Sequence, residues 1–432
     1  VADPLGAARS LRALAPGLIA SHAPTLVAED AAQRAFDLVR LHAADDPLLR
    51  AEAFAVLAYA LDGVGKEGAA IAAAKSALQL REQARAGPDL LSRSYVDLCY
   101  VESGSGNHAA ALAHCERALA LIRSSGAAAD HQVRTALKEL EIALVYSGEY
   151  DRGLQVARER IAMTAELFGE QSSVLALERL AMTDRLAEDG LFGEADQLVA
   201  LGMPVILARN GPRSLQYAQA LFHVGWLEFL RGRHAQALTP IRQALAIQEQ
   251  LVDGRDLGML QVLRTALAQV LIESGQVDDE ARALLETVIA ERSQGDANPV
   301  GLAYARLPLA QWHAARNEAD AAVLLLDQVA AVGSSVEQEL HARAAATRAL
   351  LATSAGDRAG AADHARVAFE LMLSDRGSAN PRTIRYALAY AAAAAAAGDR
   401  AAADRLWAEY RPRLAQRFPM DSRYRMESTR FD

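Results

Sequence analysis

The sequence predicts an all-α fold, a solenoid of about nine antiparallel helix pairs, and three observations carry that expectation. A glycine, once an asparagine, recurs at Gly65, Gly106, Gly148, Gly190, Gly232, Gly275, Asn317, Gly356 and Gly398, with gaps of 41, 42, 42, 42, 43, 42, 39 and 42 residues. Small residues sit at fixed distances on both sides of that turn. The chain is also too long, at 432 residues, for one compact domain of roughly 100 to 150, while its 52% hydrophobic content is rich in alanine and leucine.

The elements follow in order. Residues 1–44 contain no such turn, and Ala31–His42 reads as a helix able to cap the first pair, so 1–44 is expected to be N-terminal capping helices. Residues 45–412 are the repeats. In the clearest unit Ser214–Arg231 is the first helix, Gly232 and Arg233 the turn, and His234–Leu251 the second helix. A helix end needs a residue tolerant of positive φ just beyond it, which Gly or Asn supplies. Between units stand Asp46-Pro47, Gly87-Pro88, Gly211-Pro212, Asn298-Pro299 and Asn380-Pro381. Proline at the first helical position forfeits no hydrogen bond, because that N–H has no helical partner. Short connections make antiparallel hairpins, and repeated hairpins stack. The short gap before Gly356 predicts a shortened connection between the seventh and eighth pairs. Residues 413–432 form a polar C-terminal tail, either flexible or capping.

Seven residues before each turn lie Ala58, Cys99, Glu141, Thr183, Gly225, Ala268, Ala310, Ala349 and Ala391; five after it lie Ala70, Ala111, Gly153, Ala195, Ala237, Glu280, Ala322, Ala361 and Ala403. Small side chains at matched heights let paired helices approach closely. Ala281 beside Glu280 suggests a one-residue slip.

This pattern resembles the tetratricopeptide repeat, with a small residue, a turn glycine and an alanine, here Gly225, Gly232 and Ala237 or Ala58, Gly65 and Ala70. The long period and the run Ala244–Glu249, nearly repeated at Ala77–Glu82, are similar to the kinesin-light-chain type rather than the common form of roughly 34 residues. The resemblance spans roughly residues 45–412 and implies a right-handed superhelix whose first helices line a concave groove. By the family's register the groove would be faced by Tyr59 with Glu52 and Asp62, Arg93, Tyr100, Lys138 with Tyr146, Gln219, Phe222, Trp226, Phe229, Gln269, Tyr304, Gln311, Arg343 and Arg385. Tyrosine and tryptophan suit interface anchors, and Arg93 and Lys138 suit a carboxylate or acidic segment. Phe222, Trp226 and Phe229 together mark the expected centre, although aromatics in this register can also pack between adjacent first helices.

Other chemistry is not indicated. A net charge of −9 disfavours a general nucleic-acid binder. The alanine-rich stretch Tyr386–Ala397 is too short for a membrane span, which needs roughly 20 residues, and reads as a packed interior helix. Gly63–Gly68 matches G-x-G-x-x-G, but between two helices rather than after a strand, where that motif acts. His114 and Cys115 are sequence neighbours and diverge on a helix. Cys99 and Cys115 flank Gly106 at similar heights and are read as two small core residues rather than a disulfide. No catalytic residues, cofactor or metal are expected.

The expected function is therefore a non-catalytic scaffold binding a protein or peptide segment in its groove. The alternative is the sensor or regulatory region of a larger bacterial signalling protein, a kinase or transcription activator, cut from its effector domain; the start at Val1 is compatible with that. No nucleic-acid partner is expected, oligomeric state stays open, and a cytoplasmic location is favoured, or a periplasmic one for a membrane-anchored parent.

Overall fold

The computed structural model describes residues 25–428, apart from 64–65, 106, 126–130, 147–148, 252–256, 294–298 and 333–337. All its regular elements are helices, and they divide into two compact units.

In the first unit α1 (Thr25–His42) precedes three hairpins: α2 (Pro47–Gly63) with α3 (Glu67–Gln83), α4 (Pro88–Gly104) with α5 (His108–Ser125), and α6 (His131–Tyr146) with α7 (Tyr150–Phe168). Each first helix packs on its own second helix, and α4 also packs on both α2 and α6. The described part of the expected cap is thus one helix, and residues 1–24 lie outside the described residues. Val96, Cys99, Ala111, Cys115, Ala118, Leu137 and Leu144 belong to one apolar core shared by the second and third hairpins.

The second unit continues with α8 (Ser173–Glu188) and α9 (Phe192–Asn210), α10 (Leu215–Leu230) and α11 (His234–Leu251), α12 (Leu257–Glu273) and α13 (Asp279–Arg292). Then come α14 (Pro299–Ala315) and α15 (Ala319–Ala330), α16 (Gln338–Ser354) and α17 (Arg358–Arg376), α18 (Pro381–Ala397) and α19 (Arg400–Arg417), and a short α20 (Arg423–Ser428). Nine hairpins therefore fill the described repeats. Among the described residues no helix is long and apolar enough to cross a membrane.

The turn residues have the backbone that the spacing requires. Gly190, Gly232, Gly275, Gly356 and Gly398 have φ between 75° and 96°, and Asn317 has φ 60°; Gly65, Gly106 and Gly148 lie outside the described residues. The small positions are closed: Ala58, Cys99, Thr183, Ala268, Ala310 and Ala391 have no exposed surface, nor do Ala70, Ala111, Ala195, Ala237, Ala322 and Ala403. Gly225 shows why size matters, because a Cβ there would lie 2.5 Å from Ile241 Cγ1. The slip at the sixth pair is real. Ala281 takes the buried position, while Glu280 turns outward and pairs with Arg242 at 2.7 Å. Glu141, the other exception, directs its carboxylate to the buried Arg160 at 2.9 Å.

Two expectations are corrected. The short period before Gly356 comes from the helix, since α15 has only 12 residues against 17 to 19 in the other second helices apart from the 14 of α13; the connection spans 331–337, and 333–337 are outside the described residues. Cys99 and Cys115 are disulfide-bonded, with Cα atoms 5.4 Å apart. Both small residues face the same seam at the same height, which is also the geometry a disulfide needs.

Within the second unit the last elements return to the first ones. Asn380 Nδ2 donates to the Glu188 carbonyl at 3.0 Å, and Arg417 Nη1 to the Asp189 carbonyl at 3.3 Å. Phe418 packs on Phe192 with ring centres 5.8 Å apart. The residues after α19 therefore end as a docked segment rather than a loose tail, with 429–432 outside the described residues.

Candidate binding site

The first-unit face built by α2, α4 and α6 carries a buried polar network. Tyr59 on α2 donates its hydroxyl to Asp97 Oδ1 on α4 at 3.0 Å. Its ring lies 4.9 Å from that of Tyr100, one turn further along α4, and Tyr100 is hydrogen-bonded to Asp62. Arg81 reaches the same place from the second helix α3. Its Nη1 donates to Ser94 Oγ at 2.7 Å and to the Leu90 carbonyl at 3.2 Å, and it sits 3.8 Å from Asp97 Oδ2.

Burial dominates the electrostatics. It pushes the Asp97 carboxyl up to about 6 despite the opposing Arg81 charge, the Tyr59 hydrogen bond and the Arg93 charge. Burial followed by the Asp97 charge raises Tyr59 well above the usual phenol range, and burial followed by Asp62 pushes Tyr100 up to about 12. These groups are thus fixed in place by mutual hydrogen bonds, as buried polar groups must be.

Beside the network opens a cleft of about 240 Å³, lined by Ala55, Arg81, Arg93, Val96, Asp97 and Thr135. Arg93 is exposed at its rim and makes no hydrogen bond or ion pair among the described residues. Lys138, also exposed, lies 3.6 Å from Glu139, whose buried carboxyl is raised mainly by burial. The arrangement is a preformed polar floor that includes the Arg81 guanidinium, with the exposed Arg93 guanidinium at its rim, suited to holding an anionic or hydrogen-bonding group of a ligand.

Of the residues expected to face the groove, Tyr59 and Tyr100 belong to this network, Arg93 lines the cleft, and Lys138 stands on α6 beside Glu139. The Tyr146 side chain lies outside what is described. Asp97 falls one residue off the counted positions, whereas Thr135 holds in the third hairpin the position that Arg93 holds in the second, thirteen residues before the turn. Arg81 belongs to a second helix, which no count along first helices reaches; its only sequence signal is an arginine in the otherwise apolar face of α3.

In the second unit the expected centre divides. Phe222, Trp226 and Phe229 form one aromatic row, with ring centres 6.0 Å and then 4.6 Å apart. Phe222 and Trp226 are half-buried against the core, as is Gln219 on the same helix. Phe229 is instead a core residue, only 3% exposed, because it packs between Trp226 and His234 at the helix end. Gln269 is likewise buried and points its amide at Glu273 at 3.5 Å. Tyr304 is exposed. Gln311 is half-buried, with its Oε1 enclosed and without a hydrogen-bond partner among the described residues.

Of the glycine motif 63–68, Gly63 ends α2, Glu67 and Gly68 begin α3, and 64–65 lie outside the described residues, so it stands between two helices rather than after a strand; its Lys66 pairs with Glu29 at 2.7 Å. His114 pairs with Glu102 at 2.6 Å and not with Cys115.

No family model and no curated protein matches the sequence. Among solved structures the chain is similar to a Rap protein complexed with competence and sporulation factor, at 13% identity and a TM-score of 0.58, covering 85% of this chain and 99% of that one. It is also similar to the apo form of RapI, at 10% identity and a TM-score of 0.54, covering 84% of this chain and 97% of that one. At such identities the likeness is one of fold. Together with the repeated hairpins it establishes the chain as a helical-repeat solenoid of the tetratricopeptide type.

Proposed function

We propose that the chain is a non-catalytic scaffold that binds a protein or peptide segment along its first-helix faces, with the first-unit cleft as the principal seat. The observation that carries this reading is the cleft itself, where Arg93 stands unpaired among the described residues over the Tyr59–Asp97–Arg81 floor. A rigid floor lowers the ordering cost of binding, and exposed cations beside tyrosines are typical anchors for a segment with acidic and apolar residues. A Rap protein of the same fold is solved with competence and sporulation factor, which supports a ligand-receiving use of such a stack and favours the regulatory version of this reading.

The test is selection of a random displayed peptide library on the full chain, followed by affinity measurement on Arg93→Glu and Tyr100→Ala variants. Selected peptides are expected to lose about tenfold or more in affinity for Arg93→Glu, as for an anchor residue. A library that yields no binders, or binders indifferent to both substitutions, rules the reading out.

A further inference from the structure

We propose that the second unit holds a separate recognition site for a tyrosine-anchored segment, at the turn between α10 and α11, occupied here by the chain's own Asp421–Glu427. This site is independent of the first-unit cleft.

The seat is specific. Tyr424 is only 6% exposed although it belongs to the last described helix. The Arg385 guanidinium lies 3.5 Å from the centre of its ring, and Phe418 and His234 meet it edge-on at 5.2 Å and 5.7 Å. Its hydroxyl is 3.5 Å from His234 Nε2. The backbone is read as well, since the Arg423 amide donates to the Gly232 carbonyl at 3.1 Å. Two polar contacts flank the tyrosine: Arg233 with Asp421 at 2.9 Å, and the Arg423 guanidinium with His234 Nδ1 at 3.3 Å.

Gly232 shows that the fit is shaped. A Cβ there would lie 2.6 Å from Ser422 Oγ and 2.9 Å from Tyr424 Cδ2; of the equivalent turns, Gly190 is approached by Pro381 Cγ at 2.9 Å, while Gly275, Gly356 and Gly398 have nothing within 4 Å. Backbone, charge and ring therefore define a ligand class: a short segment with an acidic residue, a small residue, an arginine and then a tyrosine. The contacts join residues 188 to 190 apart in the chain. Solenoid stability needs only contacts between neighbouring hairpins, so this segment can leave while the stack stays folded. A segment tethered so close has an effective concentration on the order of millimolar and excludes a weaker external competitor until displaced.

The experiment uses a fluorescent synthetic peptide of residues 419–428 with full-length wild type and full-length Arg423→Ala/Tyr424→Ala. Fluorescence anisotropy is expected to show at least ~10-fold tighter binding to the variant, whose seat is vacated, and none for the peptide with alanine at the tyrosine. Hydrogen exchange of amides 419–428 is expected to rise in the variant. Asp421→Lys, a surface change that sets a cation against Arg233, is expected to raise the same exchange if the double variant folds poorly. Unchanged exchange in these variants would overturn the proposal, as would a released segment with no preference of the peptide for the vacated seat.

Discussion

The Glu188 carboxylate on α8 and the Arg382 guanidinium on α18, 194 residues apart, lie 3.4 Å from each other in the second unit. Arg376 approaches the same carboxylate at 3.4 Å and Arg185 at 2.9 Å, while Glu339 pairs with both Arg376 and Arg382. This largely buried cluster ties the last hairpins of that unit to its first. Burial by itself would raise Glu188, yet the three guanidinium groups outweigh it and hold the carboxyl down at about 2.

Glu188→Gln is therefore expected to cost about 3 kcal/mol at neutral pH, since it strands buried cations. A depressed carboxyl contributes its stability above the unfolded value of 4.5 and loses it as pH falls toward about 2. Urea midpoints of wild type and variant should accordingly converge between those limits. Parallel curves down to the lower limit would show that Glu188 is not held ionised by the cluster.

Gly225 sets two opposing effects against each other. Alanine gains up to about 1 kcal/mol over glycine inside a helix, but its Cβ would lie 2.5 Å from Ile241 Cγ1 and 3.2 Å from the Ala237 carbonyl. Overpacking a closed seam costs about 1 to 3 kcal/mol, so Gly225→Ala should be net destabilising. The second substitution Ile241→Val, which trims the facing side chain, should recover part of the loss. A Gly225→Ala variant as stable as wild type in urea would mean that α10 and α11 separate easily.

The hairpins were legible because turn, spacing and side-chain size act locally: Gly232, Gly225 and Ala237 each state their role within a few turns of helix. The return of Asn380, Arg382 and Tyr424 onto α8 and the α10–α11 turn was not legible. It depends on small rotations summed over many hairpins, which no local pattern encodes. Part of the candidate site failed for a related reason. Phe229 shares the register of Trp226, but lies at the helix end where the chain turns inward, so His234 covers it. Arg81 enters from a second helix, outside any count along the first helices.

The Cys99–Cys115 disulfide closes a short loop between α4 and α5, with a sequence separation of 16. Chain-entropy arguments assign about 3 kcal/mol to a loop of that size. Reduction, or Cys99→Ala with Cys115→Ala, should lower the stability of the first unit by about that amount. Both sulfurs are fully buried, so intact-mass measurement after alkylation should show no labelling until the chain is denatured under reducing conditions. Labelling of denatured chain without reductant would show the cysteines to be free thiols.

Asp97 makes the opposite pH statement to Glu188. Its groups face it from three helices: Tyr59 on α2, Arg81 on α3 and Arg93 on its own α4, yet burial still lifts the carboxyl to about 6. A folded carboxyl that holds its proton more tightly than the unfolded one favours the protonated folded state. Stability from this residue is therefore greatest in acid and falls as pH rises from 3.8 through about 6. The difference amounts to ~3 kcal/mol once the group is ionised. Asp97→Asn keeps an oxygen to accept from Tyr59 and cannot ionise, so its stability should change less with pH across that window than the wild type's. The comparison must be between the two proteins, because Asp62, Glu139 and Asp184 are also raised and slope the same way. If urea midpoints of the two proteins run parallel from pH 4 to pH 7, Asp97 does not titrate there, and the floor of the cleft is permanently charged.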